Sequence, residues 1–352
     1  MKYLVLTLFL SVGCGDAQKS ETSTASTEKQ QALKDAGKEK DKDKTLQKLT
    51  PNEIPPPADV EAPPKDSFKV LLEKSISARM ELVPQEDGGC VLSPSSIEAV
   101  VDAVAALIAS ARERSVDHII AIGTDALRQA KNQGLLIEKL GKLQIELTIL
   151  SGEEEARYVS LGLLTDPLAS KMDDLIGFDL GGGSLEVIEV RNRLPRSFHS
   201  LPLGAVRMKN RFGHHFDPML DTQDFEEIDA YLSSTLSELP DSIMGSGYPI
   251  VGCGGALVFT RALLDSVGTQ SEEACEITLA DLIALLNRLK ALTIGERCDQ
   301  FPSLPADRAD ILPAGLAVGI GLLRFMKQDS LIHSYRNLRF GVAQEFFNPA
   351  TA

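Results

Sequence analysis

The sequence predicts an α/β protein made of two consecutive α/β units. Three observations carry that expectation. From residue 67 onward, short apolar runs of strand type alternate with segments of helical period. The order looks like two such series, the second beginning near Leu175, and each later glycine turn follows a buried-type strand. At 352 residues and 43% apolar content, the chain can fill two cores once a polar N-terminal stretch is set aside.

Met1-Lys2 precede the apolar run Tyr3–Leu10, followed by Ser11-Val-Gly-Cys14. A charged start, about ten apolar residues and a small-residue site read as an export signal over residues 1–14. The run is too short to cross a bilayer as a helix. Cys14 after Gly13 suggests a lipobox, with Cys14 lipidated and the protein held as a lipoprotein facing the periplasm or cell exterior. An ordinary cleaved signal or a short buried strand fits the same residues. Residues 15–66 are rich in Lys, Asp, Glu, Ser, Thr and Gln and end in Pro55-Pro-Pro57 and Pro63-Pro64. Such a stretch buries too little apolar surface to offset ordering entropy, so it reads as a disordered linker.

A first domain is expected over 67–174. Phe68–Leu72 and Ala78–Leu82 read as β segments, and Gly88-Gly89 breaks the chain. Ser93 caps a helix with Pro94 at its first position, and Ile97, Val100, Val101, Val104, Leu107 and Ile108 give it an apolar face. Asp117–Gly123 is a buried-type strand, Asp125–Ala130 a helix, and Leu143–Ile149 a strand. Ser151 and Glu154 have capping-box spacing at the start of another helix. A second domain is expected over 175–348. Leu175–Leu180, the glycine turn 181–183 and Ser184–Val190 read as strand, turn and strand, and 199–206 as a further β segment. A helix near Phe225–Leu239, a strand over Pro249–Gly255, helices over Leu257–Val267 and Ala314–Met326 and a terminal strand over Leu338–Val342 complete the reading.

The net charge is −14, and it does not come from the linker. From Ser67 on, 26 Lys and Arg stand against 39 Asp and Glu. With no Trp and 5% aromatics, this argues against nucleic-acid binding, which uses basic surfaces and stacking rings. Apart from Cys14 there are four cysteines: Cys90, Cys253, Cys275 and Cys298. They allow three disulfide pairings, or remain buried thiols. Neither Cys nor His spacing suggests zinc.

Asp179-Leu-Gly-Gly-Gly-Ser184 is the sharpest chemical signal. Consecutive glycines admit positive φ and close approach, and their N–H groups can cradle an anion. Gly181, Gly182, Gly183 and Ser184 are therefore candidate phosphate ligands, with Asp179 beside them as a metal or water partner. Val251-Gly-Cys-Gly-Gly-Ala256 is a second glycine turn, leading into a helix, and offers Gly252, Gly254 and Gly255. Glu153, Glu154 and Glu155 fall in a first helical turn, where acidic residues suit the dipole and one can face a cleft and orient water. Arg128 is a candidate phosphate clamp.

In order along the chain stand Gly123–Asn132, Ser151–Arg157, Asp179–Glu186, Leu201–Arg207, Val251–Ala256 and Arg308–Gly315. This series resembles the exopolyphosphatase and guanosine pentaphosphate phosphatase (Ppx/GppA) family over about residues 67–345. The resemblance implies an actin-like, RNase H-like phosphotransferase fold, with two α/β domains flanking a cleft. It implies Mg²⁺-assisted hydrolysis of a phosphoanhydride, with Glu155 as the water-activating base and Arg128 on substrate. It implies the 181–184 loop on phosphate, and Asp179 and Glu186 as carboxylates linked to metal. Two departures stand out. The family opens with a strand and a first phosphate loop of the type Asp-Ile-Gly-Ser-Asn-Ser, which this sequence lacks, so the first domain is expected to be truncated. Leu185 stands where the family usually has Thr.

Three functions follow from these observations. One is an exopolyphosphatase-like hydrolase acting on inorganic polyphosphate. A second is a non-catalytic polyphosphate- or phosphate-binding protein, motivated by the missing loop. A third is a nucleotide-binding relative of actin-like kinases using the 251–256 turn; for the enzyme reading, guanosine pentaphosphate is the alternative substrate, which an exported location disfavours. Contact with a membrane is expected only through a lipid anchor, and a homodimer is possible for the fold. The acidity of the body predicts that binding a polyanion depends on a local donor pocket and a divalent cation.

Overall fold

The computed structural model describes the backbone of residues 3–8, and residues 76, 80–216, 223–266 and 275–347. Cys14, the linker and the expected strand Phe68–Leu72 lie outside the described residues.

The first sheet is parallel, in the order β1 (Tyr3–Leu8), β4 (His118–Gly123), β5 (Leu147–Ile149). Residues 3–8 of the apolar run read as a leader form a strand here, with Tyr3 opposite His118 and Leu8 opposite Gly123. It fills a strand position that the truncated first domain was expected to lack. The short hairpin β2 (Leu82–Pro84) and β3 (Cys90–Leu92) turns through Gly88 and Gly89, whose φ angles are 78° and 85°. The left-handed region needed there favours glycine. Of the expected Ala78–Leu82 segment, residues 78 and 79 lie outside the described residues, and β2 takes up the chain at Leu82. Helix α1 (Pro94–Arg112) starts as expected, with the Ser93 hydroxyl accepting from the Ser96 amide. It buries Ile97, Val100, Val104 and Ile108 against the sheet and Leu127, Leu136 and Leu140. Helices α2 (Asp125–Gln129) and α3 (Gln133–Lys142) lie between β4 and β5. The expected strand from Leu143 shrinks to Leu147–Ile149. The chain first leaves α3 through Gln144 at φ 61°, which ends the helix by a left-handed turn.

Helix α4 (Gly152–Leu163) has the full capping box predicted from Ser151 and Glu154. Although chain order places it in the first unit, it packs on strands of the second sheet. That sheet runs β10 (Glu276–Thr278), β11 (Ser330–His333), β9 (Ile250–Cys253), β6 (Leu175–Leu180), β7 (Leu185–Arg191), β8 (Leu194–Leu201). Strands β11, β9 and β6 are parallel. Every residue of β6 and β9 is buried, as helices covering both faces require. On one face lie α5 (Ala205–Phe212), α6 (Gln223–Leu236), α8 (Gly255–Ser266), α9 (Leu279–Lys290) and α12 (Leu312–Met326), whose leucines, with Phe178, Phe212 and Phe301, form the largest core. The short helices α7 (Asp241–Met244), α10 (Ile294–Gln300) and α11 (Ala306–Ala309) join them. Each such side chain contributes roughly 1.5–3 kcal/mol by burial.

Two expectations near the sheet ends are corrected. Residues 199–206 are not one β segment: β8 ends at Leu201 and α5 begins at Ala205. Asn192 and Arg193, both at positive φ, make the two-residue turn of the β7–β8 hairpin and set where β8 starts. Leu338–Val342 is not a terminal strand but the start of α13 (Leu338–Phe347). Among the described residues the last strand is β11, which the sequence reading did not identify. Helix α13 crosses α4 at two glycines. A Cβ on Gly341 would lie 1.7 Å from the Tyr158 carbonyl oxygen, and one on Gly162 would lie 2.2 Å from that of Asn337. Beside this crossing, Glu345 pairs with Arg157 and accepts a 2.9 Å hydrogen bond from the Tyr158 hydroxyl. Because α13 also touches β1, the α4–α13 pair joins the two sheets.

Candidate active site

In open α/β sheets ligands bind outside the carboxyl ends of the parallel strands. Here those ends bring together the residues after β4, the start of α4, the 181–184 loop after β6 and the 254–255 turn after β9. Strand register does much of the work. Asp179 on β6 is directly opposite Glu186 on β7, and Glu186 is directly opposite Ser200 on β8. Residues opposite one another share a face, so three polar side chains line up in a row beneath α4. The Ser200 hydroxyl donates to Glu186 Oε1 at 2.9 Å.

Glu155 enters this row from the first turn of α4. It is 5% exposed, and its Oε2 accepts a 2.7 Å bond from Arg128 Nη1. The same Arg128 nitrogen reaches the Leu150 carbonyl at 2.7 Å. Burial raises the Glu155 pKa to about 7 against the attraction of Arg128. Burial likewise raises Asp179 to about 6, opposed by a hydrogen bond with the Cys253 thiol and by the Arg339 charge. Glu186 is pushed well above the carboxylate range by burial and by the charges of Glu155 and Asp179. The charges of Glu155 and Asp179 oppose ionisation of Glu186, and added positive charge would relieve that opposition. Asp179 Oδ1 is buried with no hydrogen-bond partner.

The glycine loop is held from behind by α5. The Ala205 amide donates to Gly181 O at 2.9 Å and the Val206 amide to Gly182 O at 2.9 Å, while Arg207 Nε donates to Gly183 O at 2.7 Å. A trans peptide points its N–H opposite to its C=O. The amides of Gly182, Gly183 and Ser184 are therefore turned away from α5, as an anion cradle needs. This packing depends on Gly204: a Cβ there would lie 2.3 Å from the Gly183 carbonyl carbon and 2.4 Å from Gly182 backbone atoms.

Of the second turn, Gly254 sits at φ 109°, where a Cβ would meet Leu180 O at 2.5 Å and Asp179 Oδ1 at 2.6 Å, so it lies against the first loop. Gly255 opens α8 with free space at its Cα. Gly252 is corrected: it lies within β9, and a Cβ would strike the Phe178 ring at 2.3 Å. The four cysteines outside residues 1–14 are free thiols.

The sequence reading missed the partners of these residues. Arg207 and Asp125 both lie inside recognised motif runs, yet nothing in local pattern told them from surface charges. Asp125 Oδ2 accepts from Arg207 Nη2 at 3.2 Å and from Gln129 Nε2, and Asp125 Oδ1 is 3.6 Å from Arg128 Nη2. Ser200 was findable only from a register that cross-strand pairing sets.

Among the described residues no group of three or more His, Cys, Asp or Glu forms a cage able to hold a metal ion. The oxygen donors of Asp179 and Glu186, the unpartnered Asp179 Oδ1 and the mutual charge pressure do suit Mg²⁺. That ion is held through one or two carboxylates together with substrate phosphates.

Two α/β sheets joined by crossing helices, with a glycine turn beside a buried carboxyl row, make an actin-like arrangement. The chain belongs to the Ppx/GppA phosphatase family, which it matches over residues 62–347, beyond β1. It is 28% identical over 273 residues to a guanosine-5'-triphosphate,3'-diphosphate pyrophosphatase of Vibrio atlanticus (strain LGP32), covering 77% of this chain and 53% of that one. The chain thus spans about half the length of the curated relatives it matches. A crystal structure of an exopolyphosphatase from Cytophaga hutchinsonii superposes with a TM-score of 0.65 at 24% identity, over 73% of this chain and 83% of that one. The Aquifex aeolicus PPX-GPPA enzyme superposes with a TM-score of 0.60 at 23% identity, over 72% and 84%. These likenesses bear out the expected family and fold.

Proposed function

We propose that the chain hydrolyses a terminal phosphoanhydride bond, with inorganic polyphosphate as the substrate class. The observation that carries this is Glu155: a buried carboxyl with a pKa near 7, held by Arg128 at the mouth of the carboxyl row. A general base works best when its pKa lies near the working pH. The cradle of 182–184 and Arg128 would bind the terminal phosphoryl group. Glu155 would take a proton from water as its oxygen bonds to phosphorus, and the bridging P–O bond breaks with its electron pair leaving on the shortened chain. A bound Mg²⁺, held by Asp179 and Glu186, would supply neutralising charge for the phosphoryl oxygens. The wild type should release phosphate from long-chain polyphosphate with Mg²⁺ present, and Glu155→Gln should not. Equal rates in the two would refute the mechanism.

A non-catalytic binding protein is the second reading, favoured by the absence of the Asp-Ile-Gly-Ser-Asn-Ser loop from the sequence. It predicts binding of polyphosphate without turnover. The guanosine nucleotide named for the Vibrio relatives is a separate substrate to assay beside polyphosphate. Export and lipidation at Cys14 belong to this proposal too, supported by the residue pattern of 1–14.

A further inference from the structure

Asp125 has no part in the mechanism above, yet its carboxylate stands at the glycine cradle. It comes from α2 in the first unit, and a Cβ placed on Gly183 in the second would lie 1.8 Å from Asp125 Oδ2. Around it are Arg207 Nη2 at 3.2 Å, the Gln129 amide nitrogen, and Arg128 Nη2 at 3.6 Å. Two guanidinium groups, one amide donor and a side-chain-free loop are the surroundings a phosphoryl oxygen would seek. The Asp125 side chain is only 17% exposed, so its charge is not simply solvated. Arg207 meanwhile holds the Gly183 carbonyl through Nε, leaving Nη2 to bridge the cleft.

We propose that Asp125 occupies a phosphoryl subsite formed by Arg128, Gln129, Arg207 and Gly183, and latches the cleft until a polyphosphate chain displaces it. This rests on the phosphate-chain reading above and assigns Arg207 and Gln129 as further substrate-positioning residues. Displacement needs only rotation of the Asp125 side chain, after which Arg207 and Arg128 pass to the incoming anion. The carboxylate also acts as a selectivity filter. A ligand with one phosphoryl group and little charge gains little over Asp125, whereas a chain of several replaces it and engages the 182–184 amides together.

The test is binding of inorganic tripolyphosphate to the full chain by calorimetry in Mg²⁺, with hydrogen exchange read at 125–129 and 181–184. Asp125→Asn should bind about fivefold more tightly than wild type, and Arg207→Gln about tenfold more weakly, as expected for charged partners gained or lost. Without ligand, both variants should exchange faster at 125–129 and 181–184 while α12 stays protected, which controls for folding. Unchanged or weaker binding by Asp125→Asn would overturn the subsite, as would unchanged exchange in the unliganded variants. If wild type does not bind tripolyphosphate at all, the phosphate-chain reading fails. The exchange comparison then still decides the latch by itself.

Discussion

Replacing Glu155 by Gln should abolish turnover and at the same time stabilise the protein, with an effect that depends on pH. The Glu155 carboxyl ionises at about 7 in the fold against an ordinary value of 4.5. A carboxyl whose folded pKa is raised holds its proton longer in the fold than in the unfolded chain. Its ionisation therefore subtracts stability progressively as pH rises from about 4.5 through about 7, with the full loss present above that. At 1.36 kcal/mol per pH unit the shift corresponds to about 3 kcal/mol at pH 8, and to almost nothing at pH 4. Glutamine keeps an oxygen to accept from Arg128 without the charge, so the variant should recover most of that. In urea unfolding without divalent cation, the stability gained by Glu155→Gln over wild type should grow from near zero at pH 4 to about 2–3 kcal/mol at pH 8. A difference independent of pH, or a variant less stable at pH 8, would refute the picture of a base held against its own solvation.

The other expectations can be tested alongside. Wild-type kcat/KM for polyphosphate should rise with pH through an acidic limb near 7, because Glu155 must be ionised to accept a proton; a limb below 5 would assign the base elsewhere. Adding Mg²⁺ should raise the melting temperature more at pH 8 than at pH 5, since Asp179 and Glu186 need compensating charge only when ionised. Gly204→Ala should cost about 1–3 kcal/mol, because its methyl meets backbone rather than movable side chains, and should weaken phosphate binding with it. Gly341→Ala should be at least as damaging by thermal unfolding, as its methyl meets the Tyr158 carbonyl, while Gly255→Ala, with open space, should be tolerated.

Much of the fold was legible in the sequence where local signals and tertiary demand agree. The Ser93 and Ser151 caps, strand β6 and the glycine loop all express short-range rules, and each is found where it was read. The reading failed where a distant contact decides. Leu338–Val342 has strand-like composition, yet it is helix because Gly341 lets α13 lie directly on α4. The candidate site shows the same division. Glu155, Arg128 and the 181–184 loop sit in recognisable runs, and the structure brings them together. Gly252 matched the glycine pattern but faces the Phe178 ring, a distinction between strand and turn that composition does not encode. Asp125, Arg207 and Ser200 acquire their roles only from pairing across the cleft or across strands.

The first strand imposes an order of events on synthesis. Tyr3–Leu8 is made well before the β4 edge it pairs with, which begins at His118, so a long stretch of chain must follow before they can meet. Closing so large a loop is slow compared with local helix formation. If residues 1–14 act as the export signal proposed above, the same apolar run would be open to an export apparatus during that interval. Removal at Cys14 would leave the β4 edge bare, a template for pairing with another chain. On the export proposal, where the protein ends up and whether its first sheet is complete would be settled together, by a race between translocation and the pairing of β1 with β4.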